Sequence, residues 1–138
     1  MAEFIDAVAD DLVASGIGVR YATSGVSIQV NHRRSIDAPH VVLLNQTGGQ
    51  SFPWAFKEQQ GIQVLVDSVD LVSGRDIARR VYDQLHERIA TDTFSGFEVL
   101  WMRSTSGPPQ VVPQSGRPER FFFSVNFDAL LVRNPVER

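Results

Sequence analysis

The sequence predicts an α+β fold: a mixed, mainly antiparallel sheet of about five strands with two helices packed on one face. Three observations predict it. The stretch Phe121–Val132 alternates with a period of two, placing Phe121, Phe123, Val125, Phe127, Ala129 and Leu131 on one side. That is a long strand with a nearly continuous apolar face, which something must cover. Two other stretches, Glu3–Ser15 and the one that opens at Ser73, space their apolar residues as helices do. Finally, the elements run helix, two strands, loop, strand, helix, strand, arm, strand, without the strict alternation of a parallel α/β fold.

In the first helix Ile5, Val8, Ala9 and Leu12 share a side and Asp6, Asp10 and Asp11 lie mostly opposite, with the early acids favouring its N-terminus. Gly16 is the expected stop, because glycine takes the left-handed conformation cheaply. Val26, Ile28 and Val30 alternate with polar residues after the Ser24-Gly25 turn, which reads as the first strand. A polar link through Pro39 leads to a second strand, His40 to Gln46. Its continuous apolar run, Val41 to Leu44, fits a central strand covered on both faces.

Residues 47–61 break every periodicity. Gly48-Gly49 and Pro53 argue for an irregular arm, yet Phe52, Trp54 and Phe56 are too apolar for an ordinary solvated loop. Either these aromatics meet a partner, or they fold back as a lid over the core. A third strand follows at Ile62–Asp67. Ser73 reads as an N-cap answered by Asp76, opening a helix whose stripe is Ile77, Ala78, Val81, Leu85 and Ile89. Asp76–Arg80 and Arg79–Asp83 are pairs at four-residue spacing. Phe97, Val99 and Trp101 mark a fourth strand. Residues 104–119 hold Gly107, Pro108, Pro109, Pro113, Gly116 and Pro118, which reads as an extended or hairpin-like arm before the last strand.

The 138 residues, 43% hydrophobic, suit one domain spanning 1–138 with a sizeable core. A formal charge of -3 speaks against nucleic-acid recognition, which needs a concentrated basic surface. With no cysteine there is no disulfide framework or thiolate zinc site. The acidic N-terminus is unlike a signal peptide, and no apolar run approaches the roughly 20 residues that cross a bilayer, so a soluble protein is expected.

Catalytic signals are thin. His32, Asp37 and His40 could be imagined as a metal cluster, but they sit on a polar link without one-face spacing and read as surface residues. His86 reads as a flank residue beside the helical stripe. Neither a dinucleotide fingerprint, a phosphate loop nor a nucleophile elbow is present. Arg33-Arg34 and Arg79-Arg80 could bind phosphate, but the acidic neighbours of the second pair favour a solvated face. No catalytic, cofactor or metal residue is assigned, and no enzymatic activity is expected.

The passage Val42-Leu43-Leu44-Asn45-Gln46-Thr47-Gly48-Gly49 is followed by Ile62–Val66 and the helix Asp76–Leu85. The chain ends on Ser115-Gly116-Arg117-Pro118-Glu119-Arg120 running into Phe121–Phe127. Together they resemble the tail terminator or minor capsid proteins of long-tailed phages, over about Phe4 to Val132. The longer proline-rich arm and Pro53-Trp54 depart from that pattern. The resemblance implies a homo-hexameric ring in the virion tail or neck. That ring caps the tail tube protein, stops its polymerisation and offers a joining surface to the head–tail connector or neck protein, after assembly in the host cytoplasm. Another neck or head-completion protein, or a tail tube subunit, is the alternative. Candidate contacts are Phe52, Trp54 and Phe56 in the first arm, and Pro108, Pro109, Val111 and Val112 in the second. Phe122, Leu130 and Val132, on the second face of the last strand, complete the set.

Overall fold

The computed structural model describes residues 3–31, 38–52, 57–86, 88–89, 93–94, 97–112 and 120–132. The elements in chain order are α1 (Phe4–Ala14), β1 (Val19–Arg20), β2 (Val26–Val30), β3 (His40–Phe52), β4 (Lys57–Ser68) and α2 (Leu71–Leu85). They continue with β5 (Arg88–Ile89), β6 (Thr93–Phe94), β7 (Phe97–Ser104), β8 (Gln110–Val112) and β9 (Phe121–Val132). The expected α+β class holds. The strands outnumber the expected five, but β1, β5, β6 and β8 are only two or three residues long. Such short pieces are too brief to show an alternation in sequence.

The sheet runs β1-β2-β3-β4-β9-β7-β5, with β6 against β7 and β8 against β9. The β1–β2 and β2–β3 pairs are parallel and the rest are antiparallel. At its centre β4 pairs with β9 along its whole length, from Lys57 opposite Val132 to Ser68 opposite Phe121. As the alternation predicts, Phe123, Val125, Phe127, Ala129 and Leu131 are buried, and they join Val42, Leu44, Ile62, Val64 and Val66 in one core. Both helices cover this face: α1 lies over β1, β2 and β3, and α2 over β4, β9 and β7. They add Phe4, Ile5, Val8 and Leu12, and Ile77, Ala78, Val81 and Leu85.

The end of α1 follows the expectation at Gly16. Its φ is +85°, the Gly16 N–H donates to Val13 O, and Ile17 N–H donates to Leu12 O. That is the paired closure in which a left-handed glycine satisfies the last helical carbonyls, with Ile17 buried beside Leu12. The start of α2 differs from expectation. The helix begins at Leu71, and its cap is Asp70, whose carboxylate accepts from the Ser73 N–H at 2.8 Å. Ser73 is therefore inside the first turn, where its backbone N–H needs the acceptor that Asp70 supplies. The helix stops at Leu85, so Ile89 belongs to β5 opposite Trp101 and not to the helical stripe.

The arm expected over 47–61 is mostly a hairpin. Strands β3 and β4 remain paired out to Phe52 opposite Lys57. What looked like a breaker is a bulge: the register steps from Gln46–Ile62 to Gly48–Gly61, leaving Thr47 as the extra residue. Gly48 has φ +115°, and a Cβ on Gly49 would collide with the Gln59 carbonyl. Both glycines therefore serve the pairing that they were expected to prevent.

The proline-rich arm is also partly ordered in the sheet. Both β7 and β8 use the same edge of β9, with Ser104 opposite Phe127 and Gln110 opposite Ser124. Thr105 to Pro109 bow outward between them. Thr105 N–H donates to Asn126 O, Asn126 N–H donates to Ser106 Oγ, and Gly107 turns with φ +77°. Residues 113–119 lie outside the described residues.

Candidate protein–protein interface

The outward bow and α2 frame a groove of about 440 Å³. It is lined by Pro108, Pro109 and Val111 on one side, by Val72, Arg75, Asp76 and Arg79 on the other, and by Phe123 beneath. Val111 faces α2 because it pairs with Phe123, whose side chain points to the helices, and β8 has no core residue to cover. Val72 is 69% exposed and Val111 57%, while Phe123 below them is buried. Valines standing in water at facing positions, above an aromatic floor, form an apolar strip of the kind that marks a contact surface.

Its rim is charged. Arg79 meets Asp83 at 3.3 Å and lies over the Tyr82 ring, 5.3 Å from its centroid, which fixes that guanidinium at the groove. Arg80, expected to pair with Asp76, donates to the Gly16 carbonyl at 3.4 Å and so ties α2 to the end of α1. Asp70, at the helix start, has its carboxyl held below the usual range by the hydrogen bonds with Ser73 and by the nearby His40.

The other predicted contacts are dispersed. Pro108, Pro109 and Val111 come together as above, whereas Val112 belongs to the opposite face, beside Phe122. Phe122 lies in a row across the sheet between Asp67 and Val112, and at 7% exposure it presents almost no surface. Leu130 and Val132 are half-buried on that outer face, Leu130 opposite Trp101. Leu43 and Leu65 are partners on the same face. Phe52 closes the hairpin, and Trp54 and Phe56 lie outside the described residues. Val72 escaped sequence reasoning, although an apolar residue off the helical stripe Ile77-Ala78-Val81-Leu85 was a signal that could have found it.

The polar residues that could suggest chemistry have structural work. His40 Nδ1 sits 2.7 Å from Ser68 Oγ, and that hydroxyl donates to Asp70 O, joining β3, β4 and the α2 start. His86 Nδ1 accepts from the Ser104 N–H at 2.9 Å while its ring stacks on Tyr82, anchoring the end of α2 to β7. Among the described residues, no group of three or more His, Asp or Glu is placed to hold a metal ion. His32 and Asp37 lie outside them. No described helix is long and apolar enough to cross a membrane.

No protein-family model matches the chain, and no curated protein matches it by sequence. Among solved structures, the chain is similar to one from the virion of a native gene transfer agent (GTA) particle. The match has a TM-score of 0.62 and covers 93% of this chain and 93% of that one, at 11% sequence identity. At that identity the likeness is one of fold, and it extends over nearly all of both chains.

Proposed function

We propose that this protein is a structural component of a phage-like virion, and specifically a tail terminator. In this reading its copies close into a hexameric ring that caps the tail tube, stops polymerisation and offers its other side to the head–tail connector. The observation that carries the proposal is the fold shared, nearly end to end, with a chain of a GTA virion. The apolar groove with a charged rim supports it, since a component that works by assembly needs contact surfaces more than a reaction site.

Ending a polymer requires affinity for its exposed tip together with a surface that does not template the next ring, which is attraction combined with obstruction. The bow at Thr105–Pro109 is suited to part of such a contact. Two prolines and hydrogen bonds to Asn126 restrain it, so docking orders little that is not already ordered.

The test has two arms. Negative-stain imaging of the purified full chain is expected to show closed six-membered rings, and a protein that stays monomeric at all concentrations rejects the ring. Addition of the protein to polymerising tail tube protein is expected to halt elongation. Tubes that grow unchanged beside intact rings reject the terminator role and favour another neck component.

A further inference from the structure

The ladder between β5 and β7 ends in a side chain. Arg88 lies opposite Met102 and Ile89 opposite Trp101, and the same register carried onward puts residue 86 opposite Ser104. The backbone of His86 is committed elsewhere, because its N–H donates to Tyr82 O as the C-cap of α2. Past the end of β5, the Ser104 N–H donates instead to His86 Nδ1, at 2.9 Å. A backbone amide can only donate, so Nδ1 must offer a lone pair. The geometry therefore assigns the neutral ring as its Nε2–H tautomer.

Ser104 is the last residue of β7 and the root of the outward bow. Its Oγ donates to Gly107 O at 2.6 Å, and Pro108 and Pro109 follow in the wall of the groove. The imidazole in turn stacks on Tyr82, with centroids 4.7 Å apart, which keeps it at the end of α2. One ring thus joins the helix to the foot of the groove's outer wall.

We infer that His86 is a proton-sensitive pin between α2 and the bow: the neutral ring holds Ser104, and protonation releases it. An imidazolium carries a hydrogen on both nitrogens and has no lone pair to give. Two N–H donors would then face each other across a hydrogen-bond distance, so ring and strand must part. Histidine ordinarily changes charge between pH of about 5 and about 8, which makes mild acid the trigger. The negative end of α2 favours a charged ring, so the proton is accommodated and the bond to Ser104 is what is lost.

The charged groups around the ring are engaged with other partners or lie on the far face. In α2, Arg79 and Asp83 pair with each other at 3.3 Å, and Tyr82 already carries the stack. In β7, Arg103 lies over the Trp101 ring, and Glu98 stands near the start of the strand. In β9, Asp128 accepts from Gln59 at 3.3 Å and lies opposite Arg103, one position off the Ser104–Phe127 row. Arg88 of β5 is two positions along the ladder. The inference is independent of the ring reading: it makes one wall of the groove respond to pH whatever docks there.

The chain has three histidines, and nitrogen NMR of the full-length protein separates their rings by through-bond correlation. At pH of about 8 His86 Nδ1 is expected to be without hydrogen and the Ser104 amide to be protected from exchange. As the ring takes up its proton, Ser104 protection is expected to fall about tenfold, the worth of one hydrogen bond. The Ser104 and Gly107 signals are expected to move with the same midpoint as the ring, while core amides such as that of Val125 keep their protection. His86→Asn, whose Oδ1 can accept and does not titrate, is expected to hold Ser104 equally at both ends of the range. Each of four results overturns the inference. They are a hydrogen on Nδ1 at the alkaline end, a ring that stays neutral at the acid end, Ser104 protection that ignores the ring's titration, and a parallel loss of protection across the core or in His86→Asn. The parent's own titration decides the matter even where the variant does not fold.

Discussion

Arg120 donates its Nε–H to Asp67 Oδ1 at 2.5 Å, with both side chains almost wholly buried on the sheet face opposite the helices. The same guanidinium reaches the Ala38 carbonyl at 3.4 Å from both terminal nitrogens. One residue just before β9 thus fastens β4 and the approach to β3, joining positions 53 and 82 residues apart in the chain. Asp67 lies in a row with Ser27, Val41 and Phe122, all buried, so the pair sits at a part of the outer face that is closed to water.

Removing one partner of such a pair leaves a buried charge uncompensated. Arg120→Met is expected to lower stability by about 3–5 kcal/mol in urea unfolding. Adding Asp67→Asn to it is expected to recover part of that loss, because the stranded carboxylate is gone. A double variant that loses the full sum of the single losses contradicts the coupling.

Phe127 is fully buried between Ile62 and the Tyr82 ring, whose centroid is 6.4 Å away. Phe127→Ala is expected to cost about 3–5 kcal/mol, the usual loss when a core aromatic is truncated. Equilibrium denaturation checks this, and stability equal to the parent's contradicts the core position.

At Gly74 the helix α2 packs close against the sheet. A Cβ there would stand 2.8 Å from both Phe123 Cε2 and Ser68 Cβ. Alanine is the better helix former by about 1 kcal/mol, but the helix cannot stay seated with the extra carbon. Gly74→Ala is therefore expected to destabilise, by about 1–2 kcal/mol net, because overpacking typically costs about 1–3 kcal/mol before the helical gain. Thermal unfolding decides the sign, and a raised midpoint removes the close contact from consideration.

The Asp70 cap gives a pH dependence. Its folded pKa lies below the unfolded value, first through the hydrogen bonds with Ser73, so the folded state binds this proton less readily. The cap's contribution is complete above the ordinary carboxylate range and is lost as pH falls through the lowered folded value. Asp70→Ala is expected to lower the thermal midpoint at pH 7 and to approach the parent's midpoint as pH falls through the lowered folded value. Asp70→Ser, which retains an acceptor, is expected to restore much of the neutral-pH midpoint without the acid dependence. A constant gap between Asp70→Ala and the parent across this range rules out the titrating cap.

The sequence by itself determined what repeats locally. Alternation in Phe121–Val132 specified a strand and its buried side, since a one-residue slip would turn Phe123, Val125 and Phe127 into water. The spacing of Ile5, Val8 and Leu12, with Gly16 after them, specified α1 and its stop, because those signals act within one or two helical turns. Tertiary structure decided what depends on a distant strand. Gly48-Gly49 is a breaker in isolation and a bulge once Gln59 and Gly61 lie opposite, because only the partner's backbone defines where a Cβ cannot fit. Phe122 looked free until Asp67 and Val112 flanked it. Val72 and Val111, 39 positions apart, share a groove only because α2 crosses β9 while β8 pairs along the edge of β9. Side-chain periodicity encodes which face a residue takes, and pairing between remote strands decides what stands beside it.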